Sequence, residues 1–328
     1  MEDRTISNAI IYAYRFDGTG KAETLQTQQV EAALNDDELT WVHLDANQEG
    51  CREWLSSQVE TMDSLIVDAL LAEETRPRIL EFEQGVMLIL RGVNLNEDAQ
   101  PEDMVSIRLW IDAKRIISVR LRKLKAVSDM VERINTGKAP GNSGEFIAEL
   151  SRRLFERMEP VFSDLDEELD DVEEKVMENP DASLRQEITH IRKQAIVFRR
   201  YIAPQRDVIA ALRSSEQSWL DSLQRRRLQE SQDRVTRYIE DIDTIRERAQ
   251  IVKDELANAL ADKMNRNLYL LSVIAAIFLP LGFLTGLLGI NVGGIPGADV
   301  PTAFLIFCGM LLAVVVLQIV IFKKLRWF

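Results

Sequence analysis

Residues 268–290 read LYLLSVIAAIFLPLGFLTGLLGI, 23 residues without a single charge. At about 1.5 Å per residue, a helix of that length crosses a hydrocarbon core of about 30 Å. A second uncharged stretch follows at residues 303–322, AFLIFCGMLLAVVVLQIVIF, 20 residues long. The segment between them, NVGGIPGADVPT, holds three Gly and two Pro where the backbone must turn. The pattern predicts a C-terminal transmembrane hairpin. Lys263 and Arg266 precede the first span, Lys323, Lys324 and Arg326 follow the second, and the connecting loop has no Lys or Arg. Basic residues stay on the cytoplasmic side, so both termini are expected there, in a multi-pass protein of the inner membrane.

Outward from the hairpin, everything before Asn267 is densely charged. The chain of 328 residues has a formal charge of −13; residues 267–328 contribute +2, which leaves −15 for residues 1–266. Such a balance disfavours nucleic acid and favours cations or basic partners, although solubility alone would also explain it. Cys51 and Cys308 are far apart and imply no disulfide framework. The first twenty residues lack a basic start followed by an apolar core, so no cleavable signal is expected. No glycine-rich phosphate loop, nucleophile elbow or HExxH element occurs, which argues against an enzyme and against nucleotide as a partner.

Short β-rich runs at 8–16, 39–45, 78–84, 86–93, 104–112 and 115–121, with helices at 51–60, 62–74 and 125–136, predict an α/β cytoplasmic domain over residues 1–142. The very short gaps between the later runs suggest an antiparallel meander. Residues 143–218 read as cytoplasmic helices. Residues 219–266 read as a long helical stalk, since no Pro or Gly interrupts 219–279; that uninterrupted run would be about 90 Å long as a helix. The remaining divisions are a first span at 267–290, a loop at 291–302, a second span at 303–322 and a basic tail at 323–328.

In the stalk, Val235, Tyr238, Ile242, Ile245, Ala249, Val252 and Leu256 alternate at spacings of 3 and 4, the pattern of a coiled-coil seam that calls for partner helices. Two spans cannot wall an aqueous path by themselves, so assembly of several copies is expected on that ground too. Pro280 permits a bend in the first span, and Gly282, Gly286 and Gly289 permit close helix contact; packing and a pore both account for them.

The residues GINVGGIPG at 289–297, placed directly after the first of two C-terminal spans, resemble the Gly-x-Asn signature of the CorA superfamily of divalent cation transporters. Gly289, Ile290 and Asn291, followed by the Gly-Gly-Ile-Pro-Gly loop, look like its zinc transporter branch, ZntB, whereas magnesium-transporting members carry Gly-Met-Asn. The run FRRYIAPQRDV at 198–208 is similar to the family's Arg-Arg-x-x-x-Pro-x-Arg segment. The resemblance covers the whole chain and implies a CorA-like funnel-shaped homopentamer whose first spans line a central pore.

Carried over residue by residue, the resemblance puts Asn291 at the outer mouth of the pore, where its amide oxygen would contact a hydrated cation through the ion's water. It puts Asn265, Leu268, Leu271, Ala275, Leu279 and Gly282 on the pore face. A largely apolar lining suits a hydrated ion and hydrophobic gating. Asp299, the sole charge of the outer loop, would attract cations or simply solubilise the loop. The loop lacks the Met-Pro-Glu-Leu element of magnesium-type members, which puts magnesium selectivity in doubt.

The spans and loop offer only Cys308 and Asp299 as zinc ligands, so no closed metal site is expected, only transient binding. The resemblance thus implies Zn²⁺ as transported substrate and no permanently bound cofactor, with Co²⁺, Ni²⁺, Cd²⁺ and Mg²⁺ as further cations and membrane lipid as surroundings. The zinc branch is associated with proton coupling, yet the spans hold no acidic titratable group to carry it. Two alternatives stay open: a Mg²⁺/Co²⁺/Ni²⁺ channel of the CorA type, and a pore-less membrane-anchored coiled-coil scaffold or sensor.

Other clusters read as structural. The acidic run at 164–181 lies over an apolar stripe of Val161, Leu165, Leu169, Val172 and Val176, so its carboxylates are mainly a solvated helix face, with a cation reservoir as the competing reading. His43 and His190 are isolated from other ligands. Arg199, Arg200 and Arg206 would pair with the acidic helix or bind an anion.

Overall fold

The computed structural model describes residues 9–58, 64–73, 75–290, 297 and 300–324. It divides into two compact units, the first made of residues 1–179 and 183–254 and the second of residues 180–182 and 255–328.

The first unit contains β1 (Ile10–Phe16), β2 (Ala22–Thr24), α1 (Thr27–Leu34), β3 (Thr40–Asp45), α2 (Cys51–Gln58), α3 (Ser64–Leu71), β4 (Arg78–Glu81), β5 (Gly85–Gly92), β6 (Val105–Asp112), β7 (Arg115–Arg120), α4 (Lys125–Asn135), α5 (Ser143–Glu156), α6 (Glu159–Glu178), α7 (Leu184–Ser214) and the first part of α8 (Ser222–Gly289). The strands form one seven-stranded sheet in the order β2-β1-β3-β7-β6-β5-β4. β4 to β7 are the expected antiparallel meander. β3 enters beside β7 in parallel, which makes the sheet mixed.

Every residue of β5 and β6 is buried, as central strands covered on both faces must be. On one face Val42, Leu44, Met87, Ile89, Trp110 and Val119 meet Val30, Trp54, Leu55, Ile66 and Leu70 from α1, α2 and α3. On the other, Trp41 meets Phe146 of α5 edge-on at 5.0 Å. Tight turns rest on side chains: Asp112 accepts from the backbone N–H of Lys114 at 2.9 Å and of Arg115 at 2.8 Å, closing the β6–β7 turn. α5 starts at Asn142, whose Oδ1 accepts from the N–H of Glu145 at 2.8 Å. Its neighbour Gly144 lies so close to the α7–α8 connection that a Cβ there would sit 2.5 Å from the Trp219 carbonyl.

Two elements escaped the sequence reading. β2 is three residues long, too short to show a period. α1 does carry a helical signature, with Val30, Ala33 and Leu34 buried at i, i+3 and i+4. β4 ends at Glu81, short of the expected 84.

α6, α7 and α8 pack along apolar stripes of alternating 3 and 4 spacing. On α6 the stripe is Phe162, Leu165, Leu169, Val172 and Val176; it starts at Phe162, whereas the expected Val161 is only half-buried. Phe162 meets Phe198 of α7 at 5.1 Å and Tyr238 of α8 at 5.3 Å, both edge-on, so the three helices share one aromatic layer. The α8 seam is buried inside this single chain: Val235, Ile242 and Ala249 are fully covered. Helices of the same chain thus satisfy the seam, and it carries no argument for assembly with other copies.

Ion pairs frame the packed stripes. Arg248 of α8 reaches Asp166 at 2.9 Å and Glu173 at 2.8 Å on α6, and pairs with Asp170 as well. Arg199 pairs with Asp243 of α8 at 2.6 Å, not with the acidic helix as expected. Arg206 pairs with its neighbour Asp207. Asp164, Glu167, Glu168, Asp171 and Glu174 of α6 are exposed.

The second unit holds the apolar end of α8 and α9 (Ala303–Lys324). Both are long and apolar enough to cross a membrane, and α9 has no buried residue. Large apolar side chains standing in the open along both helices call for a lipid or protein environment, not water.

Candidate functional site

The second unit carries most of the residues singled out as a cation path. Leu268, Leu271, Ala275, Leu279 and Gly282 are all exposed on α8, as is Asn265 before them. The shielded side of the same segment consists of Val273, Ala276, Ile277, Pro280, Leu281 and Leu284, with Val273 down to 6% exposure. At about 100° per residue the two sets are centred roughly 150° apart, on nearly opposite sides of the helix. Gln318 of α9 reaches the shielded side, its Nε2 donating to the Ala276 carbonyl at 3.4 Å. The candidate cation face is therefore left uncovered by the hairpin itself.

The glycines fall on the open side. A Cβ placed at Gly282, Gly286 or Gly289 would meet nothing within 4 Å. Within the hairpin these glycines do not mediate the contact between α8 and α9. α8 ends at Gly289 and Ile290 follows it as an exposed residue. Asn291 and Asp299 lie outside the described residues.

Polar side chains inside the apolar segments are mostly turned back onto their own helix. Ser272 Oγ donates to the Leu268 carbonyl at 2.8 Å and Thr285 Oγ1 to the Leu281 carbonyl at 3.0 Å. From Leu268 to Gly282 the open face thus presents apolar side chains and backbone, with no carboxylate to strip a cation of its water. Among the described residues no three His, Cys, Asp or Glu side chains converge on a metal-sized site.

The remaining candidates, Cys308 apart, sit in the first unit. His43 is fully buried; its Nδ1 lies 2.8 Å from Ser118 Oγ, which also accepts from Trp41 Nε1 at 2.8 Å. Burial first, and Arg120 second, hold its pKa down at about 3, so the ring is neutral and structural. His190 is exposed on α7. Both cysteines are free, Cys51 buried with its thiol pushed up to about 11 by burial, and Cys308 exposed on α9.

Comparison with known proteins fits this layout. The family model described as CorA-like Mg²⁺ transporter protein matches residues 36–324. This chain belongs to the CorA family. Among CorA-family relatives it is similar to the divalent cation transporter CmaX of Pseudomonas aeruginosa, 39% identical over 321 residues that cover 97% of this chain and 96% of that one. It is similar as well to the zinc transport protein ZntB of Pectobacterium atrosepticum, 37% identical over 305 residues, 93% of this chain and 92% of that protein. The solved structure of full-length CmaX superposes with a TM-score of 0.84 at 38% identity, over 98% of this chain and 99% of that one. The α/β domain, the long helix and the apolar C-terminal helix are thus the CorA architecture.

Proposed function

We propose that this chain moves divalent metal cations across a membrane, with Zn²⁺ as its substrate, through a path lined by the open face of α8. The observation that carries the reading is the division of α8 into a shielded side and an uncovered, apolar, glycine-bearing side. An apolar face left open by the hairpin is what a shared conduit needs from each copy, and a hydrated ion passes an oily lining without being stripped.

In this reading several copies, five by likeness to the CorA family, bring Asn265, Leu268, Leu271, Ala275, Leu279 and Gly282 together around the path. Gly289, Ile290 and Asn291 form the outer mouth, where Asn291 contacts the hydrated cation transiently, and Asp299 raises the local cation concentration. The basic residues flanking the hairpin support an inner-membrane location with both termini in the cytoplasm. Zinc is favoured over magnesium by the Gly-Ile-Asn run and by the likeness to relatives named as zinc transport proteins.

Zinc uptake into liposomes holding the purified protein, with and without a pH difference, tests ion and coupling together. Wild type is expected to pass Zn²⁺, and Asn291→Ala to pass it at least about tenfold more slowly, a barrier change of about 1.4 kcal/mol. Equal flux through both proteins would sink the pore assignment.

A further inference from the structure

Pro280 stands inside α8, in the middle of the first apolar segment. Having no N–H, it leaves the carbonyl four residues back, that of Ala276, without its helical partner, and its ring pushes that carbonyl off the helix axis. In hydrocarbon no water is at hand to satisfy the freed oxygen. Gln318 is the sole amide residue in the second apolar stretch, 303–322. A polar side chain there is costly unless it has a partner, and its Nε2 lies 3.4 Å from the Ala276 oxygen. The donor that Pro280 removes from one helix is supplied by the other.

We propose that Gln318 is a positioning residue for cation transport: by capping the Ala276 carbonyl that Pro280 orphans, it fixes the angle at which α8 continues past Pro280 and so the relative placement of Leu268, Leu271 and Ala275 before that point and Gly282 after it. Ser272 and Thr285 bond back to their own helix and cannot set this angle. Gln318 acts on the side of α8 away from the open face, so it never touches the ion. Its Oε1 is buried and has no hydrogen-bond partner, so the Ala276 bond is what orients the amide. The inference rests on the proposal that the open face of α8 lines the cation path.

The test is a cycle of four full-length proteins, wild type, Gln318→Leu, Pro280→Ala and the double variant, compared for zinc flux per reconstituted molecule and for melting temperature in detergent. Leucine matches glutamine in size but donates nothing; alanine at 280 restores the helical N–H to Ala276. Gln318→Leu is expected to lower flux per molecule by about tenfold in the wild-type background and by less than about twofold with Pro280→Ala, the signature of coupled residues. The melting temperature should follow the same pattern. A purely structural Gln318 would change the yield of folded protein and leave flux per molecule unmoved, which overturns the proposal. Equal losses in both backgrounds overturn it too. Were wild type itself to pass no divalent cation, the transport reading and the positioning role would fall together, while the melting-temperature cycle would still decide whether Gln318 caps the Pro280 site.

Discussion

Phe162 of α6 and Tyr238 of α8 meet edge-on with ring centroids 5.3 Å apart, and the Tyr238 hydroxyl donates to the Phe155 carbonyl at 3.2 Å. A residue of the stalk seam is thereby tied to its own chain. Truncating the fully buried Ile242 on that seam to Ala should cost about 2–5 kcal/mol through lost burial and a residual cavity. If the seam serves the chain internally, Ile242→Ala lowers the melting temperature while size-exclusion chromatography with light scattering shows an unchanged assembly. A variant of wild-type stability that dissociates would instead place the seam between copies.

Arg248 gathers three carboxylates of α6, among them Asp166 at 2.9 Å and Glu173 at 2.8 Å, and this holds its guanidinium pKa above the usual value. The arginine is about one-third exposed, so solvent and salt weaken the cluster. Arg248→Met should therefore cost only about 1 kcal/mol at low ionic strength, and less in molar salt. Urea unfolding at two salt concentrations reads this. A loss that salt does not touch would assign the effect to packing of the arginine stem.

His43 predicts a pH dependence. Its folded pKa is depressed to about 3 from an ordinary 6.5, chiefly by burial, so the unfolded chain binds a proton that the folded one refuses. Its contribution to stability is complete above pH ~6.5 and is lost as pH falls from there toward about 3, at up to about 1.4 kcal/mol per pH unit. Denaturation midpoints measured between pH 7 and pH 4.5 should fall more steeply in wild type than in His43→Gln. Parallel slopes would show that His43 is not held neutral.

Gly144 lets α5 approach the α7–α8 connection, where an added Cβ would sit 2.5 Å from the Trp219 carbonyl. Backbone cannot step aside as a flexible side-chain end can. Gly144→Ala should thus destabilise the first unit by about 1–3 kcal/mol, even though alanine is the better helix former. Thermal unfolding followed by tryptophan fluorescence measures it. A gain in melting temperature would mean that the connection yields.

How much was legible in advance differs from element to element. Two uncharged stretches flanked by Lys and Arg announce spans because length and charge are properties of the chain itself, needing no partner to be recognised. The meander from β4 to β7 was readable since short gaps leave adjacent strands no other way to pair. The insertion of β3 beside β7, with Trp41 opposite Ile116, was not, because parallel pairing joins residues 75 positions apart and no local signal records it. The seam was visible as a period, yet a period states only that a face wants covering. That α6 and α7 of the same chain cover it is a fact of tertiary structure.

The hairpin divides in the same way. The sequence by itself determined that the chain ends in two membrane-length apolar helices, that an acidic α/β domain precedes them, and that Gly289-Ile290-Asn291 follows the first span, since composition, length and residue order decide such features. Only the tertiary structure decided which side of α8 is shielded and which is open, and that Gln318 answers the carbonyl freed by Pro280. A missing N–H is written in the sequence; the donor that replaces it comes from another helix, 42 positions along the chain from Ala276, and is found only when both helices are folded.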